Sequence, residues 1–224
     1  MIKYFFNGSP NPNKVSLFLE ESGLAYDPVP IDIPQGQQFS AEFLAINPNG
    51  KVPAIDDGGT IVFDSNAILL YLAEQIGQFL PADKDRGQLL SWLMFVATGL
   101  GPFSGQAVHF NHYAPELPYA RQRYTFEVRR HYGVLDRHLA DRDFMVGDTY
   151  TIVDMAVWGW ANVAGFILAE PDALLGYPNL ARLIETIAAR PATMRALKLK
   201  DRFAFSRFDT AEARATMFKH IADF

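Results

Sequence analysis

Cysteine is absent from all 224 residues. The chain therefore holds no disulfide framework, no thiolate metal site and no Cys-x-x-Cys redox pair. No side chain of its own can form a disulfide with a substrate. Basic residues are in deficit: 20 Lys and Arg stand against 25 Asp and Glu, a formal net charge of -5. That balance speaks against a general nucleic-acid binder, which needs a basic face. No apolar run reaches the length of a membrane span, and no membrane partner is expected. The opening MIKYFFNGSP has one lysine, a very short apolar run and then a turn, so it does not read as a signal peptide. The cytoplasm is the expected compartment. Internal repeats and low-complexity segments are also missing. What remains is 49% hydrophobic and 20% charged, the balance of a globular protein with a substantial core. The length fits one large unit or two smaller ones.

The stretch YFFNGSPNPNKVSLFLEE, residues 4–21, reads as a strand, a turn crowded with Gly, Pro and Asn, and an amphipathic helix. Asn11 or Asn13 would cap that helix; with Asn11 as the cap, Pro12 falls at the first helical position. Gly23 ends it. YDPVPIDI, residues 26–33, reads as a second strand that Pro28 and Pro30 push to a sheet edge. AEFLAI (41–46) is a short helix stopped by NPNG. Residues 52–57 and 60–64 flank Gly58-Gly59 as a hairpin. Ser65 then opens a helix closed by Gly77. The order β-α-β-α-β-β-α thus fills about 77 residues. A polar stretch, QFLPADKDRG, follows it. Everything beyond reads as helix, over roughly 85–110, 118–140, 151–168, 177–189, 192–203 and, more weakly, 210–222. TIVD (151–154) carries the Ser/Thr-x-x-acid signature of a capping box. The expected fold class is α/β plus all-α: a first unit at 1–78, a linker at 79–85 and a helical unit at 86–224.

Three short elements of the first unit can carry chemistry. Ser9 and Asn11 flank the start of the first helix, where a thiol would ionise more readily and where either side chain could donate to its sulfur. Both residues would serve equally to turn and cap the backbone. Val52-Pro53 stands before a strand. A cis peptide there would turn the Val52 N–H and C=O outward to pair with an extended peptide, and a plain edge-strand proline is the alternative. Asp64-Ser65 begins a helix whose free N–H groups and positive dipole end suit a carboxylate, while Asp64 would accept from an ammonium. An ordinary N-cap is the alternative there.

Together these elements resemble the thioredoxin-like domain of a glutathione transferase. NPNGKVPAIDDGGTIVFDSNAILLYLAE (47–74) is similar to the family's glutathione-binding core, and TIVDMAVWGW to the capped, buried helix of its C-terminal domain. SPN at 9–11 and GLGPFSGQAVHFNHYAPELPYARQRY at 99–124 resemble the nu-class subgroup, which includes bacterial disulfide-bond oxidoreductases. The chain departs from that subgroup with Ser9 for Thr, Pro12 for Gly and Asp64 for Glu. The resemblance implies a thioredoxin-like domain followed by a helical bundle, a homodimer, and glutathione as co-substrate. It implies that Ser65 and Asp64 hold the γ-glutamyl head and that the Val52 backbone, before a cis-Pro53, pairs with the cysteinyl amide. It puts Gln38 and Lys51 near the glycyl carboxylate, Ser9 and Asn11 by the sulfur, and Arg130 in reach of the same pocket. The thiol of the site would then be glutathione's own. The implied activity is glutathione-dependent reduction of a small disulfide. Conjugation of glutathione to an electrophile is the first alternative, and a non-catalytic, regulatory glutathione-binding protein the second. A catalytic tyrosine of the mammalian type is not evident, since Tyr4 lies too early, inside the strand.

Other residues carry less. His109 and His112 would need further ligands to hold a metal, and no metal is expected. Trp158 and Trp160 could line a substrate pocket, but read better as core packing against the first unit. Phe103, Phe110 and Phe166 divide between pocket and core. The tail from Asp201 has five Phe and would pack over the first unit or cover the mouth of the site.

Overall fold

The computed structural model describes residues 1–219. Alternation in IKYFF builds strand β1 (Ile2–Phe6), with Ile2, Tyr4 and Phe6 buried on one face and Lys3 exposed. Helix α1 (Pro10–Ser22) carries the chain across to β2 (Tyr26–Pro30), which pairs in parallel with β1, Ile2 opposite Tyr26. The start of α1 differs from expectation. Ser9 holds the cap position in an extended conformation and Pro10 the first helical one, so neither Asn11 nor Asn13 caps. The Asn7 side chain fixes that turn by accepting from the Ser9 N–H at 2.9 Å and the Ser9 hydroxyl at 2.6 Å. Strand β2 is an edge strand, in keeping with its prolines, and it stops at Pro30. Just beyond, the Asp32 carbonyl accepts the Gln35 and Gln37 N–H groups and turns the chain.

Two short 3-10 turns, Ile33–Gln35 and Gln37–Phe39, lead to α2 (Ala41–Ile46), capped by the Ser40 hydroxyl oxygen, which accepts from the Phe43 N–H. The hairpin follows as β3 (Ala54–Asp57) and β4 (Thr60–Phe63), then α3 (Ser65–Ile76), closed by a left-handed Gly77. The sheet order is β2-β1-β3-β4, with β3 antiparallel to both neighbours. This is the four-stranded mixed sheet with helices of a thioredoxin-like unit.

From Arg86 onward the described chain is helical. Instead of one helix over 85–110 there are α4 (Arg86–Phe95), a π-helical turn at Val96–Leu100, α5 (Gly101–Val108) and a second π-helical turn at His109–Tyr113. Pro102 accounts for the first: it has no N–H for a helical bond, and the Gly101 N–H reaches back to the Val96 carbonyl. Then come α6 (Pro118–His138), α7 (Ile152–Ala161), α8 (Ala164–Leu168), α9 (Pro178–Ala188), α10 (Pro191–Lys198) and α11 (Ala211–Met217). The helix expected over 151–168 is broken after Ala161, where the Val163 N–H turns to the Trp160 carbonyl. The end of the helix expected over 210–222, and Phe224 with it, lies outside the described residues.

One hydrophobic core runs through both parts, from Tyr4, Phe18 and Leu69 to Leu93, Trp158 and Leu180. Helix α1 is its seam: it packs on α7 and α10, and Glu20 pairs with Arg195 at 2.7 Å while Glu21 pairs with Arg190. The tail crosses back over the sheet. Phe203 and Phe205 stand edge-on to Phe6 at 5.5 and 5.9 Å, and Ser206 donates to the Asp32 carboxylate.

Candidate functional site

A cleft of about 960 Å³ lies between the first unit and the α4–α5 segment. Ser9, Asn11, Gln38, Lys51, Val52 and Asp64 all line it. Val52-Pro53 is a cis peptide, with Pro53 buried beside the cleft.

Its chemistry begins at the N-terminus of α1. A helix start offers four unpaired N–H groups. Here Pro10 and Pro12 have none, and the Asn13 N–H is spent on the Ser9 carbonyl at 3.1 Å. Side chains must supply what the backbone lacks. The Asn11 carbonyl oxygen accepts from the Trp160 indole N–H at 3.0 Å and from the Ser65 hydroxyl at 3.3 Å. An indole nitrogen only donates, so Oδ1 must face it. The amide nitrogen Nδ2 is then the free end, with no acceptor among the described residues. Ser9 is in the opposite condition, because its hydroxyl proton is already given to Asn7.

Asp64 opens α3 at φ 73, a left-handed conformation that costs an L-residue about 1–3 kcal/mol. Its carboxylate offsets that by accepting from the Asn66 and Ala67 N–H groups at 2.9 and 3.2 Å. The Ile68 N–H bonds the Asp64 carbonyl, which leaves the Ser65 N–H without an acceptor among the described residues at this helix end. The Ser65 side chain turns inward rather than into the cleft. It is buried, donates to Asn11 and accepts from the Lys14 amine at 3.2 Å. Two buried acceptors in the cleft wall have no partner among the described residues: Gln38 Oε1 and Asn66 Oδ1.

The far wall is apolar and aromatic, with Val96, Pro102, Phe110, Tyr113 and Trp160, and the tail adds Phe208, Met217 and Phe218. The tail thus does both things expected of it, packing on the sheet and edging the cleft. Trp160 does both things open to it, packing in the core and lining the cleft, while Trp158 is fully buried. Phe103 packs against the core, and Phe166 is exposed with His112 stacked on it at 4.2 Å. His109 lines the cleft, but His112 bonds the Phe166 carbonyl at 2.6 Å, so the two histidines do not converge.

Arg130 does not reach the cleft. Its Nε donates to Glu127 one turn earlier on α6 at 2.8 Å, and Arg123 binds the other oxygen of the same carboxylate. Asn7, Lys14 and Asn66 are among the cleft residues that escaped sequence reading. Lys14 follows Asn11 by one helical turn, and that i, i+3 spacing was the signal available. Tyr4 is fully buried, donates to the Pro12 carbonyl at 2.6 Å, and has its acidity strongly suppressed by burial, so it takes no part in the cleft.

Comparison with known proteins agrees with this architecture. The glutathione S-transferase N-terminal domain matches residues 1–74 and the glutathione S-transferase C-terminal domain residues 120–191. The chain is 42% identical to the disulfide-bond oxidoreductase YfcG of Escherichia coli strain K12 over 219 residues, 94% of this chain and 100% of that one. A solved glutathione transferase of Burkholderia graminis, with two glutathione molecules bound per subunit, superposes with a TM-score of 0.82 at 35% identity, covering 90% of this chain and 89% of that one. Another, of Pseudomonas putida with one glutathione disulfide bound per subunit, gives 0.80 at 36% identity over 88% and 91% of the two chains. With both of its domains matched in order and a full-length relative at this identity, the chain belongs to the glutathione S-transferase family.

Proposed function

We propose that this protein is a glutathione-dependent disulfide-bond reductase of the nu type, which uses bound glutathione in place of a protein cysteine. One observation carries the reading. The Asn11 amide nitrogen is free at the start of α1, held there by Trp160 and Ser65 through the other end of the same amide. It is a preorganised donor for a thiolate. The bound thiolate attacks a substrate disulfide, RS–SR′, forming a mixed disulfide and releasing R′S⁻, which takes up a proton. A second glutathione thiolate attacks the glutathionyl sulfur, giving glutathione disulfide and RS⁻, which takes up a proton to leave as RSH. Two glutathiones are oxidised and one disulfide is reduced, and the protein positions sulfurs and favours the charged form. A cleft of about 960 Å³ supports a site for two such molecules, being at the upper end of the usual range for small ligands.

In this reading Ser9 and Asn11 lie by the sulfur, with Asn11 the principal donor. Asp64 and Ser65 hold the γ-glutamyl head, Val52 and Pro53 the peptide, and Gln38 and Lys51 the glycyl end. Arg130 is left out of the set. The YfcG relative, named as a disulfide-bond oxidoreductase, and the Burkholderia graminis neighbour with its two glutathiones support the assignment. A thioredoxin-like unit at 1–78, a linker at 79–85 and a helical unit from 86 go with it. So does a cytoplasmic homodimer, which would cover the exposed Ile61, Phe63, Leu90 and Met94.

The deciding experiment is turnover of a small model disulfide with glutathione, run beside a standard aromatic electrophile. Fast disulfide turnover with weak conjugation is expected. The reverse ranking would make the protein a conjugating transferase, and tight glutathione binding with neither activity would make it a regulatory binder. Ser65→Ala is expected to raise the glutathione dissociation constant about tenfold, because both Lys14 and Asn11 lose the hydroxyl that holds them. Fluorescence titration reads this directly, and an unchanged constant would mean that the Ser65 hydroxyl does not support binding, leaving only its backbone N–H for the ligand.

A further inference from the structure

Lys14 lies within α1 and is only 1% exposed, yet it forms part of the cleft wall. Lysine is almost never buried without a partner. Its stem runs in a groove that α7 leaves open at a glycine. A Cβ on Gly159 would stand 2.3 Å from Lys14 Cγ and 2.9 Å from the Pro10 carbonyl oxygen. Guided this way, the amine meets the Ser65 hydroxyl at 3.2 Å, its one hydrogen bond among the described residues. An ammonium has three donors, so two remain without a protein acceptor.

The charged surroundings are sparse. Helices α3, α7 and α10 pack against α1. On α7 the facing residues, Gly159 and Trp160, do not ionise. On α10 Arg195 is engaged with Glu20. Asp64, at the start of α3, is the group whose charge bears on the amine, and its carboxylate is already occupied in capping. Burial outweighs that attraction and pulls the Lys14 amine down to about 7. A buried amine with spare donors at the wall of a cleft is completed by an anion.

We propose that Lys14 is a proton-linked anion receptor: the negatively charged ligand of the cleft draws a proton onto its amine as it docks, and is held less tightly as the pH rises. The inference rests on reading the cleft as a glutathione site, since glutathione brings two carboxylates. The sign follows from linkage. In the free protein the amine is already losing its proton near pH 7, whereas the adjacent anion keeps it protonated to higher pH. Affinity is therefore level in acid and falls by up to about tenfold per pH unit above 7.

S-methylglutathione is the appropriate probe because it has no thiol proton to lose. Calorimetric titration of the full chain at pH 7.5, in two buffers of different ionisation enthalpy, counts the protons exchanged. Uptake of more than about half a proton per ligand is expected. Lys14→Met should abolish it and weaken binding at least about tenfold at pH 6.5. His109→Gln, which removes the other titratable side chain lowered by burial in this cleft, should keep the uptake. If Lys14→Met does not fold, the proton count of the wild type and of His109→Gln decides. Binding without proton uptake, or uptake that survives Lys14→Met or vanishes in His109→Gln, overturns the inference and leaves the glutathione reading standing. No binding at all overturns both.

Discussion

Asn11→Ala is expected to lower kcat/KM for glutathione-dependent disulfide reduction by roughly a hundredfold, and Ser9→Ala by less than about tenfold. The two residues are neighbours at one helix start, so the contrast rests on where their hydrogen-bond donors point. Ser9 gives its proton to Asn7 at 2.6 Å and would have to break that bond to serve a sulfur. Asn11 has both donors of Nδ2 free because Trp160 and Ser65 occupy its oxygen. The prolines at 10 and 12 sharpen the difference, since they strip the helix end of N–H groups that would otherwise share the work. Alanine also orphans the Trp160 indole N–H, which by itself costs about 1–3 kcal/mol. Asn11→Asp separates the two effects. It keeps an acceptor for Trp160 and Ser65 but replaces the free donor with a carboxylate oxygen that repels a thiolate. Its thermal stability should stay near that of the wild type, with activity at least as low as in Asn11→Ala. Greater loss at Ser9 than at Asn11, or an active Asn11→Asp, would mean that the hydroxyl is the thiolate's partner.

That contrast could not be read from the sequence, although the fold around it largely could. The strand at the start of the chain, the NPNG stop of α2, the Gly58-Gly59 turn and the Gly77 stop are local signals, and each element formed where its own residues dictate. The failures lie where distant groups decide. The first helix starts at Pro10 because Asn7, outside the helix, holds Ser9. The π-helical turn before α5 depends on a missing N–H at Pro102, and a hydrophobic period does not register it. Trp160 reads as core because its neighbours in α7 are core, but the indole nitrogen reaches Asn11, 149 residues away in sequence. Lys14 drew no reading at all, because the glycine that buries it lies on α7. Arg130 shows the converse: a residue-type match suggested the cleft, and the i, i+3 pairing with Glu127 holds it on its own helix. Residue types were therefore a good guide to which segments meet at the cleft. They were a poor guide to which hydrogen-bond donors remain free once those segments have met.

Asp154 is where a short-range signal should have the largest effect on stability. The TIVD motif forms a reciprocal capping box at α7, and the same carboxylate does more than cap. It accepts from the Thr151 N–H at 2.8 Å, the Thr151 hydroxyl at 2.9 Å and the Met145 N–H at 2.7 Å, all fully buried. Asp154→Ala leaves two backbone N–H groups without acceptors in the core, at about 1–3 kcal/mol each. The expected loss is about 3 kcal/mol, or roughly 6–12 °C in the thermal midpoint of a chain this size. The effect should depend on pH in a definite sense. Burial pushes the Asp154 carboxyl up to about 6, so the native state holds its proton more tightly than the unfolded chain does. Its contribution is then greatest in acid and declines as the pH rises through 6. The stability gap between wild type and Asp154→Ala should widen between pH 7.5 and pH 5, while groups common to both proteins cancel. Calorimetric unfolding at the two pH values tests this. A gap that narrows in acid would mean that the three hydrogen bonds outweigh desolvation and hold the carboxylate ionised. A midpoint within about 2 °C of wild type at both would mean that water or another side chain replaces what the carboxylate provides to the start of α7.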